Sequence, residues 1–199
     1  MNKTRTMPTS PRISQSIIDS IAVKQAMLND TCLLNRVQQA ADLITASLRS
    51  GGRVFFCGNG GSAADAQHLA AELSGRFYLD RPPLAAEALH CNTSCLTAVA
   101  NDYGYDLVFS RLLRGIARNG DVVVGISTSG NSRNILNVFG AAKEMGVATI
   151  ALTGETGGKM KELADVLLNV PSSDTPRIQE SHILLGHILC ERVETEMFG

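Results

Sequence analysis

A chain of 199 residues with 44% hydrophobic content is long enough for one packed domain and too apolar for wholesale disorder. Its 18 Lys and Arg against 19 Asp and Glu leave a formal net charge of −1, which argues against a general nucleic-acid binder. No apolar run approaches the roughly 18 residues of a membrane span, and no apolar segment follows Lys3 and Arg5 as a signal peptide would require. Neither nucleic acid nor a membrane is therefore expected as a partner.

Met1 to Pro11, with Pro8 and Pro11 among Ser and Thr, reads as a loose arm. From Ile13 the pattern turns helical, with Ile13, Ile17, Ile21, Ala22 and Ala26 recurring at helical spacing. A second helix follows the break at Asn29-Asp30, carries Leu33, Val37, Ala40, Ala41, Ile44 and Leu48 on one stripe, and ends at Ser50-Gly51-Gly52. Beyond Arg53, short apolar runs alternate with amphipathic segments. Strands are expected at Val54–Cys57, Ala85–Leu89, Asp121–Ser127, Val147–Leu152 and Val166–Val170, with helices at about 62–75, 94–100, 106–117, 132–145 and 158–164. An amphipathic stretch from Pro176 to Glu196 closes the chain. Runs such as Val122-Val123-Val124-Gly125-Ile126 lack strict alternation, as in parallel strands covered on both faces.

The expected class is α/β: a three-layer αβα sandwich around a five-stranded parallel sheet. One domain is expected over residues 1–199, with 1–50 as arm and helical extension and 51–199 as the core and closing helix. In such sheets ligands bind outside the carboxyl ends of the strands.

After the first strand comes Gly58-Asn59-Gly60-Gly61-Ser62-Ala63, which satisfies G-x-G-x-x-G/A literally. That dinucleotide fingerprint also needs an acidic residue at the end of the second strand. Asp80 has the spacing but precedes that strand, which speaks against a nicotinamide nucleotide. Two readings stay open: a tight strand-to-helix turn, or a turn whose Asn59 and Ser62 donate to a ligand.

After the third strand, Ser127-Thr128-Ser129-Gly130-Asn131-Ser132 places four hydroxyls where a helix begins. A capping box needs one or two of them. Four, with open amides and the positive end of the helix dipole, suit a phosphate-sized anion. Gly157-Gly158-Lys159 is not a P-loop, because Thr153 stands where its first glycine belongs.

His68 and Glu72, four apart on the helix after the glycine turn, share a face and could chelate a divalent metal or act as an acid/base pair. An exposed pair without a role is the plain alternative. His182 and His187 lie in an Ile- and Leu-rich stretch and carry no inference alone. The five cysteines, an odd count in a chain this long, fit a reduced cytoplasmic setting. Cys91-x-x-x-Cys95 beside His90 lacks the second pair that a structural zinc template needs.

Taken together, these segments resemble the sugar isomerase (SIS) domain family and, more narrowly, the bacterial phosphoheptose isomerases. The likeness runs from about Ile13 to Phe198. It rests on Cys57 to Ser62, His68 to Arg76, Asn101-Asp102, Gly125 to Ser132, Leu152-Thr153-Gly154, and Arg177-Ile178-Gln179-Glu180 with His187. The resemblance implies conversion of sedoheptulose 7-phosphate to D-glycero-D-manno-heptose 7-phosphate, at the start of heptose supply for lipopolysaccharide or other surface glycans. It further implies that Ser127, Thr128, Ser129 and Ser132 grip the phosphate. Asn59, Gly60, Gly61, Ser62, Glu72, Arg76, Asn101, Asp102 and Gln179 would complete the substrate site. His68, Glu72, Gln179 and His187 would bind Zn2+, with Glu72 and His187 as the acid/base pair, in a cytoplasmic homotetramer.

Gln179 and His187 are eight residues apart, about 12 Å along a helix axis and rotated by about 80°. Bringing both to one metal from one helix would strain them. His187 is therefore expected from a neighbouring subunit, with the oligomer obligatory. An alternative comes from relatives that share the fold without the chemistry, such as a replication-initiator-associating adaptor. Ala63 after the serine resembles that group, whereas many heptose isomerases carry His there. Glu72 and His187 match the enzymes instead. An isomerase of another phosphosugar is the remaining reading.

Overall fold

The computed structural model describes residues 11–199, so the expected arm lies outside the described residues except for Pro11, which opens the first helix. Two helices come first, α1 (Pro11–Asn29) and α2 (Thr31–Arg49), and Asp30 caps α2 by accepting the Leu33 amide at 2.9 Å. Then follow β1 (Val54–Gly58), α3 (Gly61–Ser74), β2 (Ala86–Ala88), α4 (Thr93–Tyr103), α5 (Val108–Ile116), β3 (Val122–Ile126), α6 (Arg133–Met145), β4 (Ala148–Thr153), β5 (Val166–Asn169) and α7 (Thr175–Phe198). All five expected strands form, in the parallel order β2-β1-β3-β4-β5.

Successive strand residues point to opposite faces and feed two cores. Val54, Phe56, Val122, Val124 and Ile126 pack with α2, α3 and α7, while Phe55, Cys57 and Val123 pack with α4, α5 and α6. The result is the three-layer α/β sandwich the alternation predicts, with the helical extension on the α7 side.

Three expectations change in detail. The expected helix at 158–164 is a short 3-10 turn, Gly158–Glu162. Gly130 and Gly158 both have positive φ, and a Cβ on either would strike the other segment's backbone, so this stretch is shaped to press against the 127–132 turn. The expected helix at 106–117 is split into a 3-10 turn, Tyr105–Leu107, and α5. The α1 stripe is helical but not buried: Ile13, Ile17 and Ile21 are each more than half exposed, whereas every residue of the α2 stripe is buried. Among the described residues no helix is long and apolar enough to cross a membrane.

Candidate active site

The order 2-1-3-4-5 has its switch point between β1 and β3, where chain directions diverge and a crevice opens at the carboxyl ends. The two ligand-type turns flank that crevice. Gly60, at φ +56°, turns the chain from β1 into α3, and a Cβ on Gly58 would strike the Ser62 backbone. Asn59 is not a free donor: it exchanges amide hydrogen bonds of 2.9 and 2.8 Å with Asn134 in the first turn of α6, and the Tyr105 hydroxyl donates to its Oδ1 at 3.1 Å. It braces one turn against the other.

In the second turn, Ser127 Oγ lies 2.9 Å from Ser132 Oγ and 3.5 Å from Ser129 Oγ. Ser132 occupies the N-cap of α6 without a side-chain capping bond, so the plain capping reading fails. Its hydroxyl joins the cluster, and the helix start can offer amides to an anion. A cavity of about 220 Å3 adjoins this turn, with Thr128, Ser129, Thr156, Ser172 and Thr175 in its wall. Sequence reasoning missed the last three, because Thr156 and Ser172 lie in loops without a motif and Thr175 is the first residue of α7. A larger hollow of about 440 Å3 sits by Leu43 and Ala148 at the amino end of β4, away from both turns.

The third component is assembled from α3 and α7. His68 Nε2 is 2.9 Å from His187 Nε2 and 3.2 Å from Glu72 Oε1, and the three residues form a compact potential metal-ligating group. His187 therefore reaches the site from its own chain, which corrects the expectation that a neighbouring subunit delivers it. The two helices run side by side in the same direction, so Gln179 and His187 need not meet at one point. Gln179 meets the first turn of α3, where its Nε2 donates to Asp65 Oδ2 at 3.2 Å and its carboxamide lies so close that a Cβ on Gly61 would collide with it. One turn of α7 before His187 brings nothing to the cluster: His182 is fully buried, its Nε2 3.0 Å from the Thr153 carbonyl, and burial pushes its pKa down to about 4 against the effect of that bond.

Two residues that the sequence did not single out make this meeting possible. Gly186, beside His187, packs on Leu69, beside His68; any Cβ would run into the Leu69 side chain, so only glycine lets the helices approach this closely. Asp65 is half-buried; burial raises its carboxyl pKa, while the Gln179 bond and the neighbouring His68 and His187 oppose that rise.

Among the described residues the remaining candidates make no side-chain hydrogen bond to these groups. Asn101 and Asp102 are exposed at the end of α4, and their side chains bond each other at 2.8 Å. Arg76 is exposed in the loop after α3, and Ser62 is buried in the first turn of that helix. Cys91, Cys95 and His90 form no metal-ligating group among the described residues.

Contacts thus run from Asn134, beside the hydroxyl turn, to Asn59, and from Gly61 through Gln179 to Asp65, one helical turn before His68 of the His68, Glu72 and His187 cluster. Residues 19–154 match the SIS domain model. The chain is 55% identical over 193 residues to a phosphoheptose isomerase of Mycobacterium bovis, covering 97% of this chain and 98% of the relative. It is 53% identical over 187 residues to that of Sulfurimonas denitrificans, covering 94% and 96%. The solved phosphoheptose isomerase from Neisseria gonorrhoeae superposes with a TM-score of 0.88 at 47% identity, over 94% of this chain and 100% of that one. The chain belongs to the SIS domain family and, within it, to the phosphoheptose isomerases.

Proposed function

We propose that this protein converts sedoheptulose 7-phosphate to D-glycero-D-manno-heptose 7-phosphate through an enediol, feeding heptose into lipopolysaccharide or another surface glycan. The observation that carries the reading is a hydroxyl-rich turn suited to an anion, together with an acid–imidazole cluster gathered on α3 and α7. A phosphorylated ketose has the same two ends. Ser127, Thr128, Ser129 and Ser132 hold the phosphate with the start of α6. Asn59, Gly60, Gly61, Ser62, Arg76, Asn101, Asp102 and Gln179 are proposed to line the sugar path.

Ketose-to-aldose isomerisation takes a proton from C1, returns one to C2, and moves a hydroxyl proton between O1 and O2. Glu72 is the base that carries the carbon proton. His187 shuttles the oxygen proton. Its ring is placed by His68 on one side and by the Phe77 ring, 5.8 Å between centroids, on the other.

The same cluster fits zinc. Two imidazole nitrogens and a carboxylate oxygen, 2.9 and 3.2 Å apart, approach the spacing of about 3.3 Å that tetrahedral ligands adopt around a bond length near 2.05 Å. His68, Glu72 and His187 would hold it; Gln179 would have to leave its bond to Asp65 to join them as the proposed fourth ligand. A bound zinc would polarise the ketose carbonyl as a Lewis acid. A carboxylate that holds a metal is a weaker base, so Glu72 would not fill both roles at full strength.

The exposed Ile13, Ile17 and Ile21 stripe on α1 supports a homo-oligomer, proposed as a tetramer, because among the described residues of a lone chain this face is uncovered. The odd cysteine count supports a cytoplasmic setting. The whole chain is proposed to act as one domain, since α7, beyond the matched residues 19–154, supplies Gln179 and His187. The test is incubation of wild type, Glu72→Gln and His187→Ala with sedoheptulose 7-phosphate and zinc, following the aldose product. Turnover by wild type that disappears in both variants is expected. Equal inactivity of all three would refute the assignment and favour a non-catalytic phosphosugar-binding protein.

A further inference from the structure

The corner after α3 contains a polar knot that none of the proposed chemistry uses. Glu194, on α7 and 2% exposed at its side chain, accepts hydrogen bonds from three consecutive amides, Phe77 at 3.1 Å, Tyr78 at 2.7 Å and Leu79 at 2.9 Å, and from Arg81 Nε at 2.9 Å. Arg81, equally buried, spends the rest of its guanidinium on the end of α3. Nη1 donates to the carbonyls of Leu73, Gly75 and Pro82, and Nη2 to the carbonyl of Glu72 at 2.9 Å. The ends of the two helices that form the reactive cluster are therefore tied through one ion pair.

Such a pair gives little net stability, because desolvation of both charges offsets much of their attraction, and apolar side chains would fill the corner as well. What it adds is direction. Seven residues separate His187 from Glu194, about two turns, so both lie on one face of α7. Arg81 grips the backbone of Glu72 itself. The loop that wraps Glu194 also delivers Phe77, whose ring stands against His187.

We propose that Arg81 and Glu194 are positioning residues that set the separation of α3 and α7 and thereby the geometry of His68, Glu72 and His187. This rests on reading that cluster as the reactive, metal-competent end of the site. Neither residue touches substrate. Loosening the knot moves the donors relative to one another while leaving the hydroxyl turn in place.

The test uses the full-length protein as wild type, Arg81→Lys, Glu194→Gln and, as a control, Arg114→Ala, which breaks an exposed pair with Glu144. Arg81→Lys keeps the buried charge, so that one variant folds even where the other does not. Co2+ affinity is read by visible absorption, kcat and KM with sedoheptulose 7-phosphate, and folding by melting temperature. In variants assayed well below melting, the Co2+ dissociation constant is expected to rise about 10-fold or more and kcat to fall with it. KM should change less than about threefold, since phosphate binding is untouched. Wild-type Co2+ affinity and kcat in a folded but less stable Arg81→Lys would overturn the proposal and leave the knot a structural corner. If wild type binds Co2+ but turns over no sugar, the activity reading fails while the affinity arm still decides this one.

Discussion

The two ends of the proposed site are built in opposite ways. The hydroxyl turn is local: six consecutive residues between β3 and α6 contain every group proposed to hold the phosphate, and the strand and helix on either side hold them in place. The acid–imidazole cluster is non-local, made by α3 and α7 from residues up to 119 apart in sequence. Its geometry therefore depends on helix packing. The turn should tolerate distant changes that the cluster does not.

The largest effect separates the two ends by kinetic signature. Glu72→Gln and His187→Ala should each lower kcat by about 10²–10⁴-fold with little change in KM, the range expected for loss of a general acid or base. Steady-state kinetics on folded protein decides it. Loss confined to KM would show that both residues only bind. A second effect concerns the other histidine of α7. His182 is buried neutral, with a pKa near 4 against an ordinary 6.5, so the unfolded chain binds a proton that the folded one refuses between these values. Stability should be full above about pH 6.5 and fall by about 3 kcal/mol as the pH drops through 4. His182→Leu should flatten that slope in urea titrations at pH 7, 5.5 and 4.

At the turn, Ser129→Ala removes one donor to a dianion and should raise KM about 10-fold or more, at roughly 1.5–3 kcal/mol for a charged hydrogen bond, while kcat holds. Next comes the packing that the cluster needs and the turn does not. Gly186→Ala should cost about 1–3 kcal/mol in denaturant unfolding through overpacking against Leu69, and should also weaken metal binding. The smallest effect on the fold of a single chain falls on α1. Ile17→Lys should change monomer stability by less than about 0.5 kcal/mol while shifting the oligomer toward smaller species in sedimentation.

What was legible in the sequence follows the same division. The strands, α2 and the hydroxyl turn could be read because each signal lies within a few residues. The α1 stripe revealed a helix but not its exposure, since periodicity marks a face and not what covers it. The spacing of Gln179 and His187 assigned His187 to a neighbouring subunit, whereas within the chain it already meets His68. That argument assumed one meeting point, whereas parallel packing of α3 and α7 gives each residue its own partner. Gly186, Asp65, Arg81 and Glu194 carried no local signal: a glycine, two acids and an arginine look like ordinary helix and loop residues until the neighbouring helix is in place. Gly157-Gly158, which resembled part of a phosphate loop, instead lets two backbones touch behind the turn.

The central claim, that one ligand spans both ends, is tested most directly by a crystal structure of Glu72→Gln with sedoheptulose 7-phosphate bound. The phosphate should lie within hydrogen-bond reach of Ser127, Thr128, Ser129 and Ser132, with C1 and C2 beside position 72 and His187. A phosphate seated elsewhere, or a sugar whose C1–C2 end turns away from His187, would contradict it.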